Sequence, residues 1–171
     1  AQHHLKAMLA VRPLTNIIVW GRSVERAQAF VEAQNLPASI QIRVEADAKT
    51  AVAAADIICT VTSATTPILK GEWLSPGTHV NLVGAALRTS AEADTEVVKR
   101  SRFYIDYRTS AMAQAGELLN AIEQGVVTQA HIIGEIGEVL AGQKPGRQST
   151  TDITVYKSLG VAAQDLCAAS C

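Results

Sequence analysis

The 171-residue sequence predicts an α/β protein built on a doubly wound, mostly parallel sheet that is truncated at its N-terminus. Three observations carry that expectation. Short apolar runs alternate with helix-length patterns along the chain, the order that builds a parallel sheet through helical crossovers. Hydrophobic residues make up 48% of the chain but aromatics only 4%, so the apolar mass is Ala, Val, Ile and Leu. That mix suits strands covered on both faces better than a sandwich. Finally, the chain opens on a helix, a strand and a Gly-Arg-Ser turn, with no strand ahead of them. Right-handed crossovers would put helices on both faces of the sheet.

The first helix places Leu5, Met8 and Leu9 on one face and stops at Pro13. Ile17 to Trp20 reads as a buried strand. Ser23 then caps a helix expected to bury Ala27, Phe30 and Val31 and to end at Asn35-Leu36-Pro37. Ile40 to Val44 alternates as a strand nearer a sheet edge, and Lys49 to Ala55 is a short Ala-rich helix. Asp56 to Val61 is the next buried strand, followed by the polar turn Thr62 to Pro67. Beyond a turn at Ser75-Pro76-Gly77 come a strand over Thr78 to Val83, ended by Gly84, and a helix over Ala91 to Arg100. Phe103 to Ile105 is a strand, and Ser110 to Ala115 and Glu117 to Glu123 are helices joined at Gly116. The pattern then predicts a helix over Ile132 to Leu140 interrupted by Gly134 and Gly137, a loop over Gly142 to Arg147, a strand over Ile153 to Tyr156 and a helix over Ser158 to Ala169. The whole is read as one partial domain, residues 1–171.

A formal net charge of −1 leaves no basic footprint for nucleic acid. No apolar run approaches the ~18 residues of a membrane span, so a membrane role is not expected. Cys59, Cys167 and Cys171 are an odd set without metal-type spacing. Cys59 reads as a small core residue, and a cytoplasmic setting follows from cysteine usage. His3, His4, His79 and His131 lack partners at metal spacing and read as surface or cap residues, so no metal site is expected. Glu135 and Glu138 could share a helix face, where a capping or solvated role is favoured over acid/base work.

The opening helix-strand-turn is the second step of a dinucleotide-binding fold, whose first step is a strand and a glycine-rich phosphate loop. The turn after that second strand reads the adenosine ribose: an acid there binds a 2′-hydroxyl, whereas an arginine accommodates a 2′-phosphate. The sequence has Arg22 and Ser23 and no acid in that turn, which favours NADP over NAD. Ser23 as a mere helix cap and Arg22 as a solvated side chain are the alternative. Thr60, Thr62 and Ser63 follow a strand end and either line a cofactor crevice or form a hydroxyl-rich turn before Pro67.

By Gly84-Ala85 the chain resembles the dinucleotide-binding domain of the ornithine cyclodeaminase and mu-crystallin family. The resembling stretches are His4-Leu5 with Val11-Arg12-Pro13, Val19-Trp20-Gly21-Arg22-Ser23, Ala55-Asp56-Ile57-Ile58 and Gly71-Glu72-Trp73-Leu74. They continue in Pro76-Gly77-Thr78-His79-Val80-Asn81, Gly84-Ala85, Ala115-Gly116-Glu117 and Gly134 to Gly142. Pro145-Gly146-Arg147 and Thr154 to Gly160 complete them, so the match runs from Ala1 to about Asp165. The resemblance implies a Rossmann-like fold, a nicotinamide cofactor and reduction of imines or keto acids, or deamination of ornithine. Cofactor contacts are expected at Arg22, Ser23, Thr60, Thr62, Ser63, Gly84, Ala85, Ser158 and Gly160, with a helix N-cap as the alternative for Ser158. It also implies a separate N-terminal substrate and dimerisation domain, with the substrate-carboxylate arginines and a catalytic lysine, that this sequence does not contain. Ala86 stands where the cyclodeaminases place a proton-transferring aspartate, and alanine cannot move a proton. Ornithine cyclodeamination is therefore not expected, and no catalytic residue is assigned.

Two readings follow. One is an NADP-type oxidoreductase domain, inactive as an isolated chain because no glycine loop precedes Ala1. The other is a freestanding, non-catalytic remnant serving as an oligomeric binding module with a small-molecule ligand. In the 3-2-1-4-5-6 order the missing first strand would lie mid-sheet. Unpaired strand edges there predict a homo-oligomer, which light scattering at micromolar concentration checks.

Overall fold

The computed structural model describes residues 1–169, without the side chains of Asp165 and Ala168. The expected thiol at Cys171 lies outside the described residues. The chain divides into two compact units, Ala1–Ala55 and Asp56–Cys171.

The first unit runs α1 (Gln2–Val11), β1 (Asn16–Val19), α2 (Val24–Glu32), β2 (Gln41–Val44) and α3 (Ala48–Ala53). β1 and β2 pair in parallel, with Ile17 opposite Ile42 and Val19 opposite Val44. Side-chain caps start both later helices. Ser23 Oγ accepts from the Arg26 amide, and an Asp47 carboxylate oxygen from the Thr50 amide. Of the three residues expected to be buried along α2, only Ala27 is; Phe30 and Val31 are half-buried. A two-stranded sheet gives α2 too little surface to cover a full apolar face.

The second unit holds β3 (Ile57–Thr60), β4 (His79–Leu82), α4 (Thr95–Arg100), β5 (Ser101–Ile105), α5 (Arg108–Gln114), α6 (Gly116–Glu123), β6 (Ile132–Glu135), α7 (Ile136–Leu140), β7 (Ile153–Lys157) and α8 (Ala162–Ala169). Its sheet has the order β3-β4-β7-β5-β6 and every pairing is parallel. The α/β class with a parallel sheet is as expected. The order is not: β7, last in sequence, lies between β4 and β5, so a plain 3-2-1-4-5-6 continuation is ruled out. No described strand bonds to both β1 and β3, the pairing a first strand supplies in that order.

The central strands are closed on both faces. Val80, Leu82, Phe103, Ile105 and Val155 are fully buried, as are Val97 and Val98 of α4 and Leu118 and Ala121 of α6. In β4 the buried Val80 and Leu82 alternate with half-buried His79 and Asn81, the period of two that marks a strand in the sequence.

Three boundaries differ from the sequence pattern. Ile132 to Leu140 is not one helix: β6 pairs with β5 and only then does α7 begin. Two β-branched isoleucines and Gly134 favour the strand once a partner edge is present. The helix over Ala91 to Arg100 starts at Thr95, because the Asp94 carboxylate caps the Val97 amide. Residues 91–93 are instead irregular, with a bend at Glu92 and Ala93 bridging to Leu69. The final helix starts at Ala162 rather than Ser158. The Ser158 amide extends the β7 ladder to the Leu82 carbonyl, so Ser158 is not a helix cap. Among the described residues no helix is long and apolar enough to cross a membrane.

Candidate functional site

In open parallel sheets ligands bind outside the carboxyl ends of the strands. In the second unit the ends of β3, β4 and β7 deliver Thr60, Leu82 and Lys157 side by side. The segments that follow them carry Thr62, Gly84, Ala85 and Ser158.

Beneath these segments lies a buried charge network. Glu92, Glu117 and Lys157 are each completely inaccessible to solvent. One Glu92 oxygen accepts from the Thr62 amide and hydroxyl, both at 2.7 Å. The other accepts from the Thr60 hydroxyl and the Gly84 amide, again at 2.7 Å. Four donors to one carboxylate satisfy a buried anion without a cation beside it. The Glu92 amide in turn donates to Glu117 Oε1 at 2.9 Å. Lys157 Nζ lies 3.1 Å from Glu117 Oε2 and 3.3 Å from Oε1, and also donates to the Ala85 carbonyl. Two carboxylates and one ammonium therefore share the interior.

Gly84 is obligatory in this arrangement. A Cβ there would overlap the Thr62 carbonyl and the Glu92 carboxylate, so only glycine lets the β4 end approach both.

Asp106 organises the loop after β7. Its Oδ2 accepts from the amides of Leu159, at 2.6 Å, and Gly160, at 2.8 Å, while Oδ1 takes the Tyr107 amide at 2.7 Å. Gly160 adopts φ +88°, and the space where a Cβ would stand is open. Ser158 and Leu159 are half-buried beside it, and Ser63 and Ala86 are exposed.

The residues singled out from sequence divide accordingly. Thr60, Thr62 and Gly84 are brought together, but by Glu92: Thr60 is buried and both threonine hydroxyls are spent on that carboxylate. Ala85 is buried, with its carbonyl on Lys157. Ser63, Ser158 and Gly160 keep some access to solvent. In the first unit Arg22 is exposed, whereas Ser23 is engaged as a helix cap and donates to Glu25 at 2.7 Å. That bond holds the Glu25 carboxyl below its usual range.

Glu92 and Asp106 escaped the sequence reading, and Glu117 and Lys157 entered it only within resembling stretches, with no role assigned. A signal existed for two of them: Glu92 sits between Ala91 and Ala93, and Lys157 ends an apolar strand, both poor places for a solvated charge.

The remaining titratable candidates have structural partners. Burial pushes the Cys59 thiol up, opposed by the Asn81 amide; the residue is half-buried rather than fully in the core. His79 spans Thr154 and Asn81 at 2.8 and 3.2 Å, and His131 meets the Val98 carbonyl at 2.7 Å. Glu138 accepts from the Glu135 amide and Glu135 from the Arg108 amide, the capping role expected of them. Among the described residues no group of three or more His, Cys, Asp or Glu could hold a metal ion.

Residues 1–171 match the sequence profile described as the ornithine cyclodeaminase/mu-crystallin family. The chain is 39% identical to Protein SAR DEFICIENT 4 of Arabidopsis thaliana over 170 residues, 97% of this chain and 52% of that protein. It is 41% identical to the ketimine reductase mu-crystallin of Rattus norvegicus over 153 residues, 88% of this chain and 44% of that protein. Among solved structures it superposes on Delta(1)-pyrroline-2-carboxylate reductase of Thermococcus litoralis, in complex with NADH and L-proline, with a TM-score of 0.92. That pair is 31% identical, and the match covers 98% of this chain and 52% of the other. The chain thus spans about half the length of the curated relatives it matches. With its whole length matched by the profile and its backbone following a solved member, the chain belongs to the ornithine cyclodeaminase/mu-crystallin family.

Proposed function

We propose that the chain is the nicotinamide-dinucleotide-binding part of an oxidoreductase that reduces imines or keto acids, that it takes NADP in preference to NAD, and that it does not cyclodeaminate ornithine. The observation that carries this reading is the near-complete superposition on half of a reductase solved with NADH.

The residues present fit such a cofactor. Exposed Ser63 and Ala86, half-buried Ser158 and the open face of Gly160 follow the ends of β3, β4 and β7. In this reading Ser63, Ala85, Ser158 and Gly160 line the nicotinamide end, while Thr62 and Gly84 hold Glu92 beneath it. A bound nicotinamide supplies a hydride. The protein's part is to seat it and exclude water. Ala86 offers no group to move a proton, which removes the step a cyclodeaminase needs at that position. In the first unit the exposed Arg22 guanidinium supplies a planar fork suited to a 2′-phosphate, and Ser23 adds little because its hydroxyl already caps α2.

Titration of the chain with NADPH and NADH, followed by nicotinamide fluorescence, tests this reading. Saturable binding with NADPH preferred is the expected result. Arg22→Asp should weaken NADPH about tenfold or more, the worth of a charge-assisted contact, and leave NADH unharmed. Failure of both dinucleotides to saturate would overturn the proposal and favour a non-catalytic module.

A further inference from the structure

The buried network carries more charge than it balances. Glu117 and Lys157 form a pair at 3.1 Å, whereas Glu92 has no cation among its hydrogen-bond partners, only two amides and two hydroxyls. Those donors satisfy the lone pairs but do not cancel the charge. Asp106 adds a second carboxylate capped by backbone amides at the end of β5. Glu92, Glu117 and Lys157 thus carry one negative charge in excess, screened little because all three side chains are sealed from solvent.

We infer that this uncompensated charge, centred on Glu92, makes the site formed by Ala85 and Ser158 bind an oxidised, cationic nicotinamide more tightly than a reduced, neutral one. This inference rests on the cofactor reading above. The adenosine and phosphate parts are the same in both redox forms, so the two differ at the ring, which loses its positive charge on reduction. At an effective dielectric of about 20, the attraction of one unit charge across a distance on the order of 10 Å is worth roughly tenfold in binding. A tenfold preference for the oxidised form corresponds to about 30 mV for a two-electron couple. The sign makes the reduced cofactor a stronger hydride donor, which suits a reductase.

Calorimetric dissociation constants for NADP+ and NADPH test the inference on the chain itself. The chain should bind NADP+ roughly tenfold more tightly than NADPH. Equal affinities, or a preference for NADPH, would overturn it without any variant. Two variants then separate charge from structural damage. Glu92→Gln removes the uncompensated charge and should shrink the ratio, whereas Glu117→Gln combined with Lys157→Met removes a balanced pair and should leave it unchanged. A ratio unchanged in Glu92→Gln, or shrunk equally in the double variant, would overturn the inference. The probe 2′-phospho-ADP-ribose, which lacks the ring, should bind all three proteins alike. If it binds while the NADP+ to NADPH ratio stays constant across the variants, the charge inference fails and the cofactor reading stands. If neither it nor the dinucleotides bind, both fall.

Discussion

The two units of this chain bury themselves in different ways. In Ala1–Ala55 the buried hydrophobic side chains are two alanines, Ala27 and Ala51, and α1 buries none. Its strands β1 and β2 show only half-buried and exposed positions. Val11 and Val24 are 59% and 46% exposed. In Asp56–Cys171 the sheet is wide enough to be covered on both faces, and its core is so complete that it encloses a lysine and two glutamates. The lesson concerns sheet width. Two strands give a helix an edge to rest on, whereas five give it a face. Only behind a closed face can charges lose solvent and gain fixed partners.

Breaking the buried pair is the strongest test of that contrast. Lys157→Met leaves Glu117 buried without its cation, a change that should cost about 3–5 kcal/mol. Hydrogen exchange should then speed up by roughly a hundredfold or more in β4, β5 and β7, following the lost free energy. The amides of β1 and β2 should be unaffected. Equal acceleration in both units would show that they open as one.

Thiol chemistry gives a smaller effect. Burial raises the Cys59 thiol, leaving less thiolate at a given pH, whereas Cys167 on α8 is exposed. With Cys171→Ser as background, a disulfide reagent at mildly alkaline pH should label Cys167 roughly tenfold faster or more than Cys59. Comparable rates would mean that the β3 end opens readily.

The mildest test lies in the first unit. Hydrogen bonds from Thr50 hold the Asp47 carboxyl below its usual range. A depressed folded-state acid contributes stability above its unfolded pKa and loses it as pH falls through the folded value. Asp47→Ala should therefore lower the melting temperature slightly at neutral pH, with the difference fading as the solution is acidified below the ordinary carboxylate range. A difference that persists in acid would assign the loss to packing of α3 instead of its cap.

Much of this architecture was readable residue by residue. The apolar run within Asp56 to Val61 located β3, and the alternation of Val80 and Leu82 with His79 and Asn81 within Thr78 to Val83 located β4, because a strand puts every second side chain on the same face. Ser23 announced α2, since its side chain meets an amide three residues on. Ile132 to Leu140 misled, because short apolar runs fit helix and strand alike and only the neighbouring β5 decided between them. At the candidate site, Thr60, Thr62 and Gly84 were found but their inward partner was not.

The sequence by itself determined the alternation of strands and helices, the helix starts marked by short polar caps and the family signature. Each of these is written within a few neighbouring residues. The tertiary structure alone decided that β7 enters between β4 and β5, and that Glu92, Glu117 and Lys157 meet. Those contacts join positions 25 and 40 residues apart. Whether a charged side chain is solvated or sealed depends on what the rest of the chain folds over it, a non-local property that no local spacing encodes.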